Sequence, residues 1–332
     1  MQIILTLDYE LFMGSSTGTV DKCLVEPMRR LCQAIEPAQG RFTIFVDACY
    51  LLKLQEYSSV YNRAASDLNM ITSHLRQLSD AGHDLQLHIH PHWWFSTFDG
   101  MRWNVNSSYY KMSDVPDDTL LEMFRAAKAL LEDIKGKPVR VFRAGGFSAQ
   151  PTELLTRVFE ATGLDTDMSV CPGAVYDSAQ QQYDYTRCPD KAAYRFSQDL
   201  CVEDSAGKFL EIPISTHPVS PLFHWRLALS RVLRLKAHQT FGDGQSIPAS
   251  SGSVFRRLFT RVPCIVTIDG MKIDNLFAAH SRCHRRGGDL LCVIGHPKLA
   301  TPYSVDRLSV FCSRLAKQGD KIITASQLHY ES

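Results

Sequence analysis

The 332-residue sequence has no surplus of charge of either sign: 36 Lys and Arg stand against 35 Asp and Glu, a formal net charge of +1. That balance excludes the strongly basic composition of a nucleic-acid binder, and 45% hydrophobic residues exclude a disordered chain. No apolar run approaches the length that spans a bilayer. No basic region leads through an apolar stretch to a cleavage site ahead of the first strand, so no signal peptide is read. Internal repeats are also missing. Ten cysteines are present, but they lack paired spacing and are scattered through strand-like and helix-like segments. Reduced thiols in a cytoplasmic protein are therefore expected.

Short apolar runs alternate with longer amphipathic stretches, the pattern of parallel strands joined by helical crossovers. Strands are expected over 2–8, 41–47, 84–88, 139–143, 166–170, 209–214, 264–268, 290–294 and 321–324. Helices are expected over 24–35, 68–81, 117–134 and 152–162, with further helices in the last third. The length exceeds that of a usual single core, yet α/β barrels reach it as one domain with insertions. The expectation is one domain over 1–332, with residues 215–262, which have no place in the barrel pattern, as an insertion.

The segment from Gly82 to Trp93 packs His88, His90 and His92 into five residues where an apolar strand breaks at Pro91. Imidazole is the commonest metal-binding side chain, and a strand ending in a constrained turn can aim two of them at one point. The plainer alternative is a polar strand end with surface histidines. Asp8, His88, Arg143, Asp167 and His296 all fall at the C-terminal ends of expected strands, where a barrel gathers its active site.

Five motifs in order, Thr6–Glu10, Gly82–His83 through His92, Phe142–Gly146, Asp167–Ser169 and Ile294–Pro297, resemble those of the polysaccharide deacetylases. This is the NodB-homology or carbohydrate esterase family 4 group, and the likeness is to its divergent bacterial surface-polysaccharide branch. The resemblance spans most of the chain and implies a distorted (β/α) barrel with an inserted helical segment. It implies Asp8 as general base, with Glu10, His88 and His92 as ligands of a divalent metal. Zinc is the first choice for an open site of two imidazoles and a carboxylate, although the same set suits non-heme iron. The family's commoner form has adjacent aspartates, which leaves Asp47 as a rival to Glu10.

The resemblance further implies that Arg143 orients and tunes the base, that His296 protonates the leaving amine, and that Asp167 orients His296. His90 is left to a supporting or substrate contact, and His83, at a helix exit, to structure. Gly145 and Gly146 either let backbone approach substrate or make a turn. Metal-bound water would attack an N-acetyl group, with the oxyanion held by the metal and a backbone N–H from Tyr9–Phe12. Trp93 and Trp94, with other aromatics up to Tyr110, either stack on sugar faces or form a small satellite core.

The implied function is metal-dependent removal of N-acetyl groups from a sugar or polysaccharide. The alternatives are an amidohydrolase acting on a non-sugar amide, a catalytically inactive carbohydrate-binding protein and, more remotely, an iron oxygenase. Residues 221–237 read as a basic, aromatic-bearing helix, extended in character by Arg256, Arg257 and Arg261. Such a helix either makes peripheral membrane contact or packs on the barrel with its arginines in solvent.

Overall fold

The computed structural model describes residues 1–233, 235–246 and 258–328. Two compact units are interleaved along the chain, one formed by 1–42 and 215–323, the other by 43–214 and the residues from 324 onward.

In the first unit, strand Gln2–Tyr9 is buried at every position but Gln2, as a parallel strand covered on both faces requires. It pairs in parallel with Leu290–Val293 and, along its other edge, with Lys321–Ile323. Helices Glu26–Ile35, Asp274–Arg285 and Pro302–Gln318 belong to this unit. The last starts at a Thr301–Ser304 capping box with Pro302 in its first turn, and stops at Gly319, whose φ of 74° is costly for any residue with a Cβ. The segment after 214 leaves through strand Thr216–Val219 and returns through Val262–Ile265, which pair antiparallel. Between them runs helix Pro221–Val232. Arg234, Arg256 and Arg257 lie outside the described residues.

In the second unit, parallel strands run side by side in the order Thr43–Asp47, Asp84–Ile89, Val141–Ala144, Thr166–Asp167 and Phe209–Glu211. An antiparallel edge strand, Tyr194–Phe196, follows. Helices Ala48–Tyr57, Asn62–Asp80, Asp117–Lys135 and Thr152–Thr162 join the strands. Asp117 and Asp118 open their helix at its positive end, and Gly136 closes it in the left-handed conformation.

Expected strands and helices recur here with shifted ends; helix 68–81, for example, begins at Asn62 because the polar first turns of Asn62–Asp80 hide the periodicity. Helix Ala48–Tyr57 was not expected; it follows strand Thr43–Asp47 directly, with no loop residue between them to mark its start. The expectation of uniformly reduced thiols is corrected for one pair: Cys188 and Cys201 are bridged, while the other eight cysteines form no disulfide. Among the described residues no helix is long and apolar enough to cross a membrane.

Candidate active site

In the first unit, three chain segments converge by backbone hydrogen bonds. The Asp8 N–H donates to the Gly295 carbonyl at 2.9 Å, and the Ile268 N–H to the Ile294 carbonyl at 2.9 Å. Gly295 makes the crossing possible, because a Cβ there would stand 2.3 Å from a side-chain carbon of Ile268. The result places Asp8, Asp269 and His296 at one rim.

His296 is held by Asp269 through two bonds. Its backbone N–H donates to Oδ1 at 2.8 Å, and ring Nδ1 meets Oδ2 at 2.9 Å. With the proton on Nδ1 fixed by that carboxylate, Nε2 faces Asp8 Oδ2 and Glu10 Oε1, each at 3.8 Å. Burial by itself lowers the His296 pKa, but Asp269, then Asp8 and Glu10, outweigh it and the net shift is upward. Asp269 moves the other way: burial resists its ionisation, yet His296 and Lys272 hold its pKa below the usual carboxylate range.

Glu10 has a partner the sequence reading missed. Lys298 Nζ donates to Glu10 Oε1 at 2.8 Å and to the Leu11 carbonyl at 2.6 Å, and lies 5.2 Å from the Phe12 ring centroid. Both side chains are nearly enclosed, so the pair is one in which each charge needs the other. The Phe12 N–H donates to the Thr17 carbonyl, which removes it from the candidate oxyanion donors.

In the second unit the strand register sets Asp47 beside His88, and His88 beside Arg143. The His88 Nδ1 lies 2.8 Å from the Arg143 carbonyl oxygen, which only a protonated Nδ1 can satisfy; Nε2 then holds the lone pair, the arrangement of a metal-ligating imidazole. His88 and His90 offer ring nitrogens within 4.8 Å of one another, and their ring centroids are 4.7 Å apart. His92 instead lies flat against Tyr110 at 5.4 Å, with 12° between planes. The geometry thus favours His90 as the partner of His88, where the motif resemblance chose His92. Gly145 is the reason His90 fits, since a Cβ there would come within 2.6 Å of His90 Nδ1 and of the Ile89 carbonyl. Gly146 adopts φ 59°, so it makes a turn.

Arg143 is completely buried, donates Nε–H to the Met168 carbonyl at 2.9 Å, and stacks over Phe45 at 4.1 Å. Asp167 is corrected. Its carboxylate accepts from the Ser169 N–H at 3.0 Å and the Ser169 hydroxyl at 2.7 Å and bonds to Glu211, while the histidine it was expected to orient uses Asp269. Burial raises the Asp167 pKa despite those bonds. Asp269 was missed because it follows an expected strand end with no motif around it.

Trp93 is also corrected from a sugar contact to a core residue. It is fully buried, 4.7 Å from the Tyr50 ring and 5.2 Å from Trp103, within a cluster that continues to Phe98 and Tyr57. The satellite-core alternative holds for it, while Trp94 remains half-buried. His83 is buried at the helix exit, its N–H on the Leu78 carbonyl, as a structural role requires.

No family model matches the sequence, and no curated protein does either. Solved structures do. A candidate polysaccharide deacetylase from Mycobacterium smegmatis superposes with a TM-score of 0.54 at 14% identity, covering 98% of this chain and 87% of that one. The PuuE allantoinase gives 0.49 at 12% identity over 98% and 87% of the two chains. The family 4 carbohydrate esterase from Streptomyces lividans, solved in complex with acetate, gives 0.41 at 13% identity over 97% and 91%. Of these three, the first superposes closely enough to show a common architecture. The chain therefore shares the mixed α/β fold of that structure.

Proposed function

We propose that the protein is a metal-dependent hydrolase that removes N-acetyl groups from a sugar or glycan. The observation that carries this reading is the His296 arrangement: a carboxylate fixes one ring nitrogen at 2.9 Å, and the other faces a second carboxylate, Asp8, at 3.8 Å. That sets a proton donor and a proton acceptor side by side, as acid–base catalysis requires. Asp8 accepts a proton from the attacking water. His296, protonated on Nε2, delivers a proton to the amine nitrogen as acetate departs. Asp269 stabilises the imidazolium beforehand.

The side chains fit a divalent ion. His88, whose Nδ1 is occupied by the Arg143 carbonyl, keeps Nε2 as a ligand atom, and a second imidazole is at hand in His90, with His92 next in line. Glu10 supplies the carboxylate in the assignment implied by the family resemblance. When bound, such an ion would lower the pKa of a water and polarise the acetamide carbonyl. Zinc is the proposed ion because imidazole and carboxylate donors suit it.

A second reading, hydrolysis of a non-sugar amide, gains from one observation. Trp93, Phe98 and Tyr110 are buried, so fewer aromatic faces are available to stack on a sugar than the sequence suggests. Acetate release from N-acetylated oligosaccharides separates the two. Release by wild type that falls by about 10²- to 10⁴-fold in Asp8→Asn and in His296→Ala supports the proposal. No release from any acetylated glycan, with hydrolysis of a linear or cyclic amide, moves the second reading ahead.

A further inference from the structure

Helix Pro221–Val232 turns its apolar side outward. Leu222, Trp225, Leu229 and Val232 recur at three- and four-residue spacing, hence on one face, and are 70%, 51%, 56% and 78% exposed. The opposite side supplies the buried residues Phe223, His224 and Ser230. Leu233 and Phe259 continue the exposed patch. Other exposed large hydrophobics, such as Val60, Val175 and Val310, are scattered along the chain.

Positive charge is concentrated in the same stretch of sequence. Residues 215–262 contain seven Lys and Arg and a single carboxylate, Asp243, a net of +6 in a chain whose total is +1, so the remainder is −5. Arg226, Lys236 and Arg261 are exposed. A protruding apolar face that includes a tryptophan, with the exposed cations Arg226, Lys236 and Arg261 on or near it in sequence, matches an anionic lipid surface better than water. The acidic remainder would be repelled by that surface, which orients the chain with this face inward.

We infer that the helix Pro221–Val232 docks in the plane of an anionic phospholipid bilayer. Leu222, Leu229 and Val232 enter the acyl boundary, and Trp225 lies at headgroup level. The inference stands on the patch and its charge, whatever reaction the protein catalyses.

The test is flotation of the full chain with vesicles of phosphatidylglycerol and phosphatidylcholine, compared with phosphatidylcholine alone. Wild type is expected on the anionic vesicles, with binding that weakens as salt is raised. Leu222→Ser/Leu229→Ser should bind at least about tenfold more weakly, and Arg226→Gln/Lys236→Gln about fivefold more weakly for each cation removed. All four positions are exposed, so an unchanged melting temperature certifies the fold. Trp225 is retained in both variants, and quenching of its fluorescence by acyl-brominated lipid reports insertion. Absence of wild type from anionic vesicles overturns the inference, as does equal binding by Leu222→Ser/Leu229→Ser. A dimer seen by analytical ultracentrifugation that this double substitution dissolves would also overturn it, by assigning the face to a second copy of the chain.

Discussion

Replacing Asp269 by Asn keeps the size of the side chain and removes the charge behind His296. In the wild type both carboxylate oxygens are engaged, Oδ1 by the His296 N–H at 2.8 Å and Oδ2 by ring Nδ1 at 2.9 Å, with 8% of the side chain exposed. Asn can still accept from the backbone N–H. It then presents an NH₂ group to Nδ1, which must become an acceptor, and the proton leaves that nitrogen. A hydrogen bond to a charged partner contributes about 1.5–3 kcal/mol. At about 1.36 kcal/mol per factor of ten, its loss slows a step that needs the imidazolium by about 10- to 150-fold. The assay is kcat for acetate release, alongside ¹⁵N NMR of the His296 ring, which reports the tautomer without any substrate. The reasoning fails if Asp269→Asn keeps kcat within about threefold of wild type, or if the ring nitrogens are unchanged.

Two further substitutions separate structural from catalytic roles. Asp320 accepts from His280 Nε2 and His284 Nε2, each at 2.8 Å, and from the Met1 amine at 2.9 Å. Burial opposes its ionisation, but these donors hold its pKa at about 2, against an ordinary 3.8. Because the folded pKa is the lower one, the stabilisation is full above about pH 4 and is lost as pH falls through 2. Asp320→Asn should cost about 1–2 kcal/mol at neutral pH, with allowance for the exposure of His284, and the difference should shrink below pH 4. Urea unfolding across that range checks it, and a cost independent of pH contradicts it. Trp93→Ala, which empties the centre of an aromatic cluster, should lose about 3–5 kcal/mol in urea denaturation. Unchanged stability with a raised KM would instead return Trp93 to the sugar site.

Much of the architecture was legible because parallel strands buried on both faces read as continuous apolar runs, as in Gln2–Tyr9 and Thr43–Asp47. Helix Thr152–Thr162 was legible at both ends, set by Pro151 and Gly163. Asp8, Glu10 and His296 are singled out in the sequence because each sits beside a strand end with a recognisable motif, and the structure brings Asp8 and Glu10 each to 3.8 Å from His296 Nε2. Asp269 and Lys298 were not, because their roles arise from segments that meet only through the Gly295 crossing. The aromatic loop was ambiguous for a different reason: the sequence gives its composition, while which face of Trp93 meets Tyr50 and Trp103 is a matter of tertiary packing. Likewise the spacing of His88, His90 and His92 does not reveal that Tyr110 claims the flat face of His92.

The most direct test of the central claim is metal content by mass spectrometry on native protein, run beside acetate release from N-acetylated oligosaccharides for wild type and His88→Ala. The account predicts roughly one zinc per chain in wild type, with metal and acetate release lost together in His88→Ala. Metal retained by His88→Ala, or a metal-loaded wild type that releases no acetate from any glycan, would contradict it.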